Sequence, residues 1–342
     1  MLPNIETDIP LAKYTTLEVG GPAKFFCSIQ TEAELEEACL WALQRKEPVL
    51  VLGSGSNVLI SDAGFPGLVI QVNIKGIKYL ASNTAVVGSG ESWDEFVLES
   101  INHKLSGIEC LSGIPGRVGA AVVQNIGAYG QEICTTARKV RYFDLTQSQF
   151  LELSGDACLF DYRASIFKRD TSRIVASITF KLASNNASCL AYKELSALFT
   201  GKSPSLAQVR GAVLELRKAK SMLLDPADIN SRSAGCFFTN PIVDVTVFNN
   251  INSDHQEVPS WFQPDGRVKL SAGWLIEHSG FPKGHVAANR RVGLSQKHAL
   301  ALINLGGASA KDIYDYQKVI SEAVYEHFSI QLIPEVVFVG CV

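Results

Sequence analysis

No Cys-x-x-Cys pair occurs among the eight cysteines of this 342-residue sequence, which excludes the usual zinc-ribbon and thiol-redox frameworks. Cys27, Cys39, Cys110, Cys134, Cys158, Cys189, Cys236 and Cys341 are scattered, a pattern of reduced intracellular thiols rather than of a disulfide scaffold. None of the six histidines falls at the H-x-x-x-H spacing of a helical metal site, so no metal is expected. No stretch approaches the ~18 uninterrupted apolar residues of a membrane helix. Met1–Pro10 lacks the basic start and apolar run of a signal peptide, so the expected compartment is the cytoplasm and no membrane partner is expected. A single-sign charge excess is also missing. The 31 basic and 34 acidic side chains leave a net charge of −3, and no nucleic-acid partner is expected. With 46% hydrophobic and 19% charged residues the chain is neither disordered nor fibrous, and its 27 glycines follow no Gly-x-y period.

What is present reads as strands interleaved with a few helices, an α+β pattern. Thr31 to Lys46 opens with a threonine cap and Glu34 three residues later, then shows apolar residues at helical spacing. Further helices are expected over Glu91 to His103, Ser205 to Lys220 and Ala310 to Phe328. Strands are expected over Val49 to Leu52, Val58 to Ile60, Leu68 to Val72, Ala85 to Val87, Lys139 to Asp144 and Arg173 to Leu182, and a last one over Ile330 to Val339. The stretches 183–188 and 225–233 read as loops. Asn186-Ala187-Ser188 matches a glycosylation sequon, a chance match in a chain without a secretory signal.

Two glycine-rich stretches carry the strongest local signal. In VLVLGSGSNVLI, Val49 to Ile60, Gly53 and Gly55 allow a tight turn whose N–H groups face a phosphate, and Ser54, Ser56 and Asn57 add donors. Valine stands where a dinucleotide fingerprint needs its third glycine, and a strand rather than a helix follows, so a Rossmann site is excluded; a plain tight turn is the rival. Gly113, Gly116, Gly119, Gly127 and Gly130 crowd the second stretch, Ser112 to Gly130, beside Gln124 and Asn125. Together the two stretches point to a large phosphate-bearing cofactor. Gly201-Lys202-Ser203 imitates a P-loop but has Ser196 in place of the first glycine and Pro204 next. Three single residues stay open on spacing alone. Arg163, in FDYRASIFK, is either a surface ion-pair partner or a bidentate carboxylate clamp. Cys236, in AGCFFTNP, reads as a buried structural thiol. Glu335, in LIPEVVFV, alternates with Val337 and Val339, and is either a buried carboxylate with a function or a solvated edge residue.

In order along the chain stand YTTLEVGGPAKF, LGSGSNVL, IPGRVGAAVVQNIGAYG, YRASIFK, AGCFFTNP, AGWLIE, SQKHALALIN and IPEV. This series resembles the UDP-N-acetylenolpyruvoylglucosamine reductase family, also called UDP-N-acetylmuramate dehydrogenase, over nearly the whole length. The resemblance implies a bacterial enzyme of peptidoglycan precursor synthesis with non-covalent FAD and with NADPH as co-substrate, acting on UDP-N-acetylglucosamine enolpyruvate. It implies an α+β fold with a two-lobed FAD-binding region of the PCMH, or vanillyl-alcohol-oxidase, type. The lobes would span 1–72, with a C-terminal return of 329–342, and 73–222; an α+β substrate domain would span 223–328. By the same resemblance Arg163 and Glu335 stabilise the enol-like intermediate. Cys236 stands where the family has a proton-donating serine. The FAD contacts would be Gly53, Ser54, Gly55, Ser56, Asn57, Gly116, Gly119, Asn125, Gly127, Ala128 and Tyr129, and the UDP-sugar contacts Tyr192, Lys220 and Asn240. A monomer is expected. A thiol is a stronger acid than an alcohol, with an ordinary pKa of ~8.5, so Cys236 is suited to give up a proton. Three rivals remain: another flavin oxidase of the superfamily, a non-catalytic flavin module, and a cysteine hydrolase, which needs His255, His278, His285 or His298 beside Cys236.

Overall fold

The computed structural model describes residues 4–184, 192–255 and 257–340. Cys189, Cys341, the sequon and part of the 183–188 loop lie outside the described residues. The chain divides into two units, one of residues 1–9, 22–54 and 65–223 and one of 10–21, 55–64 and 224–342. Both mix helices with sheets, an α+β architecture.

The first unit holds two sheets. Pro22–Ile29 and Val49–Leu52 flank Phe65–Val72 in parallel, and Glu6–Pro10 adds the edge. Leu68, Val69 and Ile70 are fully buried, the continuous apolar run of a strand covered on both faces. The helix Glu32–Arg45 packs on this sheet through Leu35, Ala38, Cys39 and Ala42. Thr31 caps it by accepting the Glu34 N–H, and Lys46 ends it in the left-handed conformation. The second sheet is antiparallel, in the order Gln149–Ser154, Ala137–Asp144, Arg173–Lys181, Thr84–Gly88 and Ile77–Leu80. Trp93, Phe96 and Phe180 pack at its centre, and the Trp93 indole donates to the Leu111 carbonyl. The glycine-rich stretch conceals a helix, Val118–Gln124. Gly119 inside it lies so close to Ser89 that a Cβ would meet the Ser89 Cβ at 2.7 Å.

The second unit is assembled from three separate lengths of chain. Its core sets Leu17, Leu59, Phe237 and Phe238 against the helices Ala272–His278 and Ala310–Phe328. Ser309 and Asp312 form a reciprocal cap at the long helix, and the Asp62 carboxylate accepts the Ala310 and Lys311 N–H groups. The expected closing strand over Ile330 to Val339 is shorter than read. Only Val337–Val339 pairs as a strand, parallel to Val58–Ile60. Upstream, Pro334 forms an isolated antiparallel bridge with Phe238. That bridge is flanked by hydrogen bonds from Thr239 N–H to the Ile333 carbonyl and from Glu335 N–H to the Phe237 carbonyl. Pro334 therefore occupies a non-hydrogen-bonded pair, where a residue without an N–H costs nothing. The face that Val337 and Val339 share is not uniformly buried: Val339 is buried, whereas Val337 is 40% exposed. Glu335 accordingly does not share a uniformly buried strand face with Val337 and Val339.

Asp94, at the start of the helix Trp93–Asn102, takes both guanidinium nitrogens of Arg210 at 2.6 and 2.7 Å and the Gly113 N–H at 2.5 Å. Burial acts to raise the Asp94 carboxyl, but these donors outweigh it and hold the group below its ordinary value. A depressed folded value contributes stability above the unfolded pKa of ~3.9, and that stability is lost as pH falls through the folded value. Asp94→Asn is therefore expected to lower the urea midpoint at neutral pH and to flatten the loss of stability below about pH 4, read from denaturation curves across pH.

Candidate active site

The first glycine turn links the strands Val49–Leu52 and Val58–Ile60. Gly55 has φ +61°, and a Cβ there would lie 1.9 Å from the Tyr14 carbonyl oxygen, so no other residue fits. The N–H groups of Gly53, Ser54, Gly55 and Asn57 donate to no acceptor among the described residues. A buried or half-buried row of such donors is a ready-made anion site. Asn57 also turns its side chain to structure, donating Nδ2–H to the Glu335 carbonyl at 3.3 Å, while its own carbonyl accepts the Val337 N–H.

In the first unit, the second glycine-rich stretch surrounds Arg163. Gly116 has φ +130°, and its carbonyl accepts the Trp93 N–H. Gly119 is spent on close packing and donates its N–H to the Ser89 carbonyl. Beside it, Ser89 Oγ and Arg117 Nε are buried with no hydrogen-bond partner among the described residues. Gly127 and Ala128 pair with Gln131 and Glu132 in a two-residue hairpin. The Gly127 carbonyl accepts Arg163 Nη2–H at 2.6 Å, and a Cβ on Gly127 would lie 3.0 Å from Arg163 Nη1. Asn125, Tyr129 and Arg163 are non-glycine residues at φ 44°, 49° and 55°. Such conformations cost of order 1–3 kcal/mol each and persist only where the surroundings enforce them. For Asn125 the enforcement is visible: its Oδ1 accepts the Cys134 N–H and its Nδ2 donates to the Asp161 carbonyl at 2.9 Å. The Asn125 side chain thus braces the Arg163 loop, and both its ends are committed to protein.

Tyr129, Tyr192 and Lys220 come together in the same unit. The two tyrosine rings meet edge to face at 5.4 Å, over a small cluster of Cys110, Leu195, Val209 and Val213. Tyr192 is the N-cap of the short helix Lys193–Ala197, and Lys220 follows the helix Leu206–Ala219. Between them stands Glu194, which the sequence did not single out; it takes Lys220 Nζ at 2.9 and 3.0 Å. Burial acts to lower the Lys220 ammonium, yet the Glu194 carboxylate outweighs it and holds the group above its ordinary value. Burial also raises the Tyr129 phenol.

In the second unit, Cys236 is half buried and its Sγ lies 3.7 Å from His298 Nε2. Glu335 stands on the neighbouring segment, its N–H bonded to the Phe237 carbonyl. Asn240 accepts the Ala272 N–H through Oδ1 at 2.9 Å and so helps Ser271 cap the helix Ala272–His278. His298 is therefore the histidine that the hydrolase reading needs, but its Nδ1 already accepts the Leu300 N–H at 3.2 Å. A neutral imidazole with Nδ1 as acceptor carries its proton on Nε2, the atom facing the thiol, and is the wrong tautomer to act as base. No group of three or more His, Cys, Asp or Glu side chains able to hold a metal occurs among the described residues. Glu194 escaped sequence reading because it has no spacing signal, and His298 was one of four histidines between which spacing could not choose; each acquires its partner only through the fold.

The unpaired turn donors and the glycine that admits no side chain fit a phosphate-bearing cofactor such as FAD. Comparison with known proteins agrees. Residues 23–148 match an FAD binding domain, and residues 225–339 match the C-terminal domain of UDP-N-acetylenolpyruvoylglucosamine reductase. The reductase of that name from Thermobifida fusca is 42% identical over 99% of both chains. That from Salinispora arenicola is 40% identical over 98% of this chain and 96% of its own. The crystal structure of the Thermus caldophilus enzyme superposes with a TM-score of 0.70 at 28% identity, over 99% of this chain and 100% of that one.

Gly55→Ala is expected to yield protein that loses its visible flavin absorbance on purification, because the added methyl collides with main chain. Gly211→Ala, where a Cβ meets nothing within 4 Å inside the helix Leu206–Ala219, should keep the flavin and gain about 0.5–1 kcal/mol of stability.

Proposed function

We propose that in this chain, which belongs to the UDP-N-acetylenolpyruvoylglucosamine reductase family, Arg163, Glu335 and Cys236 carry the chemistry. The protein is an FAD-dependent oxidoreductase of peptidoglycan precursor synthesis that reduces UDP-N-acetylglucosamine enolpyruvate to UDP-N-acetylmuramate with NADPH. The observation that carries this is the match at 42% identity over 99% of both chains.

FAD, held by the residues named below, would supply the hydride transfer from NADPH to the enolpyruvyl double bond. The remaining work falls to side chains. Arg163, fixed by the Gly127 carbonyl and by its own left-handed backbone, holds the substrate carboxylate as charge builds on it. Glu335 acts at the same developing enol. Cys236 Sγ–H gives its proton to the carbon adjacent to the one that is reduced. Backbone N–H groups of Gly53–Asn57 hold the cofactor phosphates, with Gly116, Gly119, Gly127, Ala128 and Tyr129 lining the approach. In this reading Asn125 serves through the Arg163 loop. Tyr192, Lys220 and Asn240 hold the UDP-sugar, and Lys220 must exchange Glu194 for a diphosphate oxygen to do so.

The two sheets of the first unit support a division into FAD lobes at 1–72 and 73–222, with a substrate domain at 223–328 and a return at 329–342. We assign the enzyme to the cytoplasm, where its nucleotide substrates are made, and read it as a monomer. Among the described residues no helix is long and apolar enough to cross a membrane.

Stopped-flow mixing separates the half-reactions. Cys236→Ala should leave flavin bleaching by NADPH at the wild-type rate, while reoxidation by the enolpyruvyl substrate slows by about 10²–10⁴-fold. Slowing confined to bleaching would remove Cys236 from the proton-transfer step. Absence of substrate-dependent NADPH consumption in the wild type would overturn the reaction itself.

A further inference from the structure

The reading of Cys236 as proton donor leaves a question: what meets the charge on sulfur once the proton has gone? We propose that His298 is a positioning residue that donates Nε2–H to Cys236 Sγ and stabilises the thiolate. This rests on the assignment of Cys236 given above, but it concerns a different atom pair and a different observable.

The geometry begins in the main chain. Phe237, the neighbour of Cys236, donates its N–H to the Leu300 carbonyl at 2.8 Å, which ties the cysteine segment to the His298 turn. The turn is closed by Ala301 N–H on the His298 carbonyl at 3.1 Å and by Leu300 N–H on His298 Nδ1 at 3.2 Å. Upstream, Ser295 Oγ accepts the Lys297 N–H at 3.1 Å. The imidazole is therefore anchored at one nitrogen and aimed with the other. Because Nδ1 accepts, Nε2 holds the ring proton, and 3.7 Å is a fitting separation for a donor to the large sulfur atom.

The step balances as follows. The substrate carbon pair receives the hydride at one carbon. The other takes the proton of the Cys236 S–H bond, whose electron pair stays on sulfur as thiolate. His298 keeps its own proton throughout and contributes a hydrogen bond that strengthens as the sulfur becomes negative. Water reprotonates the thiolate before the next turnover. Such a donor makes the thiol a stronger acid and also fixes the direction from which Sγ is held.

The test uses the flavin-loaded enzyme and reads the thiol itself. Iodoacetamide alkylation of Cys236 is followed across pH by peptide mass spectrometry. Burial assists the discrimination: it pushes Cys27 and Cys39 up to about 12 and Cys158 up to about 11, so these thiols react slowly near neutrality. His298→Phe, which keeps the ring but lacks Nε2–H, should move the Cys236 midpoint upward by about one pH unit, making alkylation about tenfold slower below the midpoint. Substrate-driven flavin reoxidation should slow by a similar factor while bleaching by NADPH does not change. His298→Gln, whose amide places a donor near the position of Nε2, should restore part of both effects; His298→Leu, which also lacks the donor, serves if the phenylalanine variant fails to fold. An unchanged midpoint in whichever of the two donor-less variants folds overturns the role of His298. A shifted midpoint in a protein whose Cys236→Ala variant still reoxidises at the wild-type rate would instead overturn the assignment of Cys236, leaving the hydrogen bond in place.

Discussion

The hydrogen bond from the Glu335 N–H to the Phe237 carbonyl is the tie on which the second unit depends. It joins the segment that carries the candidate carboxylate to the segment that carries the candidate thiol. Asn57 extends the same tie to the glycine turn, through its side chain to the Glu335 carbonyl and through its carbonyl to the Val337 N–H. Phe237 in turn is bonded to Leu300, two residues from His298. Four stretches far apart in sequence are thus registered by main-chain bonds and the one side-chain bond of Asn57, and the side chains of the site inherit their positions from that register. Pro334 fits the arrangement because it falls where the ladder asks for no donor.

In the first unit, positioning relies on strain rather than on a ladder. Three non-glycine residues near Gly127 hold left-handed backbones, and one of them is Arg163 itself. A guanidinium on a relaxed loop would lose rotamer and backbone freedom when it engaged a carboxylate. Here much of that cost is met on folding, by the bonds that Asn125 makes at both ends and by the grip of the Gly127 carbonyl on Arg163. The result is a pre-aimed charge.

The regular parts of this fold were legible in the sequence because they are local. A threonine cap with Glu34 three residues on, or a run such as LVIQV, carries its own physics and yields the helix Glu32–Arg45 and the strand Phe65–Val72. The helix Val118–Gln124 was hidden since its one glycine, Gly119, is there for contact with Ser89, a reason invisible along the chain. The closing strand was read too long for a similar cause: alternation in IPEVVFV mimics a strand, but only Val337–Val339 pair as one. Cys236, Arg163 and Glu335 stood out by type without being assignable until the resemblance supplied roles. The partners that define their surroundings, His298, Gly127 and Asn57, are all long-range.

The threading of the second unit has a consequence for biosynthesis. Residues 10–21 and 55–64 emerge early from the ribosome and bond to one another, yet the rest of their unit lies beyond residue 223. The Leu17 carbonyl waits for Asn304, and the Asn57 side chain waits for Glu335. The 65–223 stretch, by contrast, is contiguous and can build its antiparallel sheet while synthesis continues. Nascent chains therefore carry two early segments with part of their contacts still unmade for much of translation, and the glycine turn becomes complete only once Glu335 and Val337 have been synthesised. A chain truncated before Glu335 would keep the 65–223 stretch and lack the segment that closes the other unit.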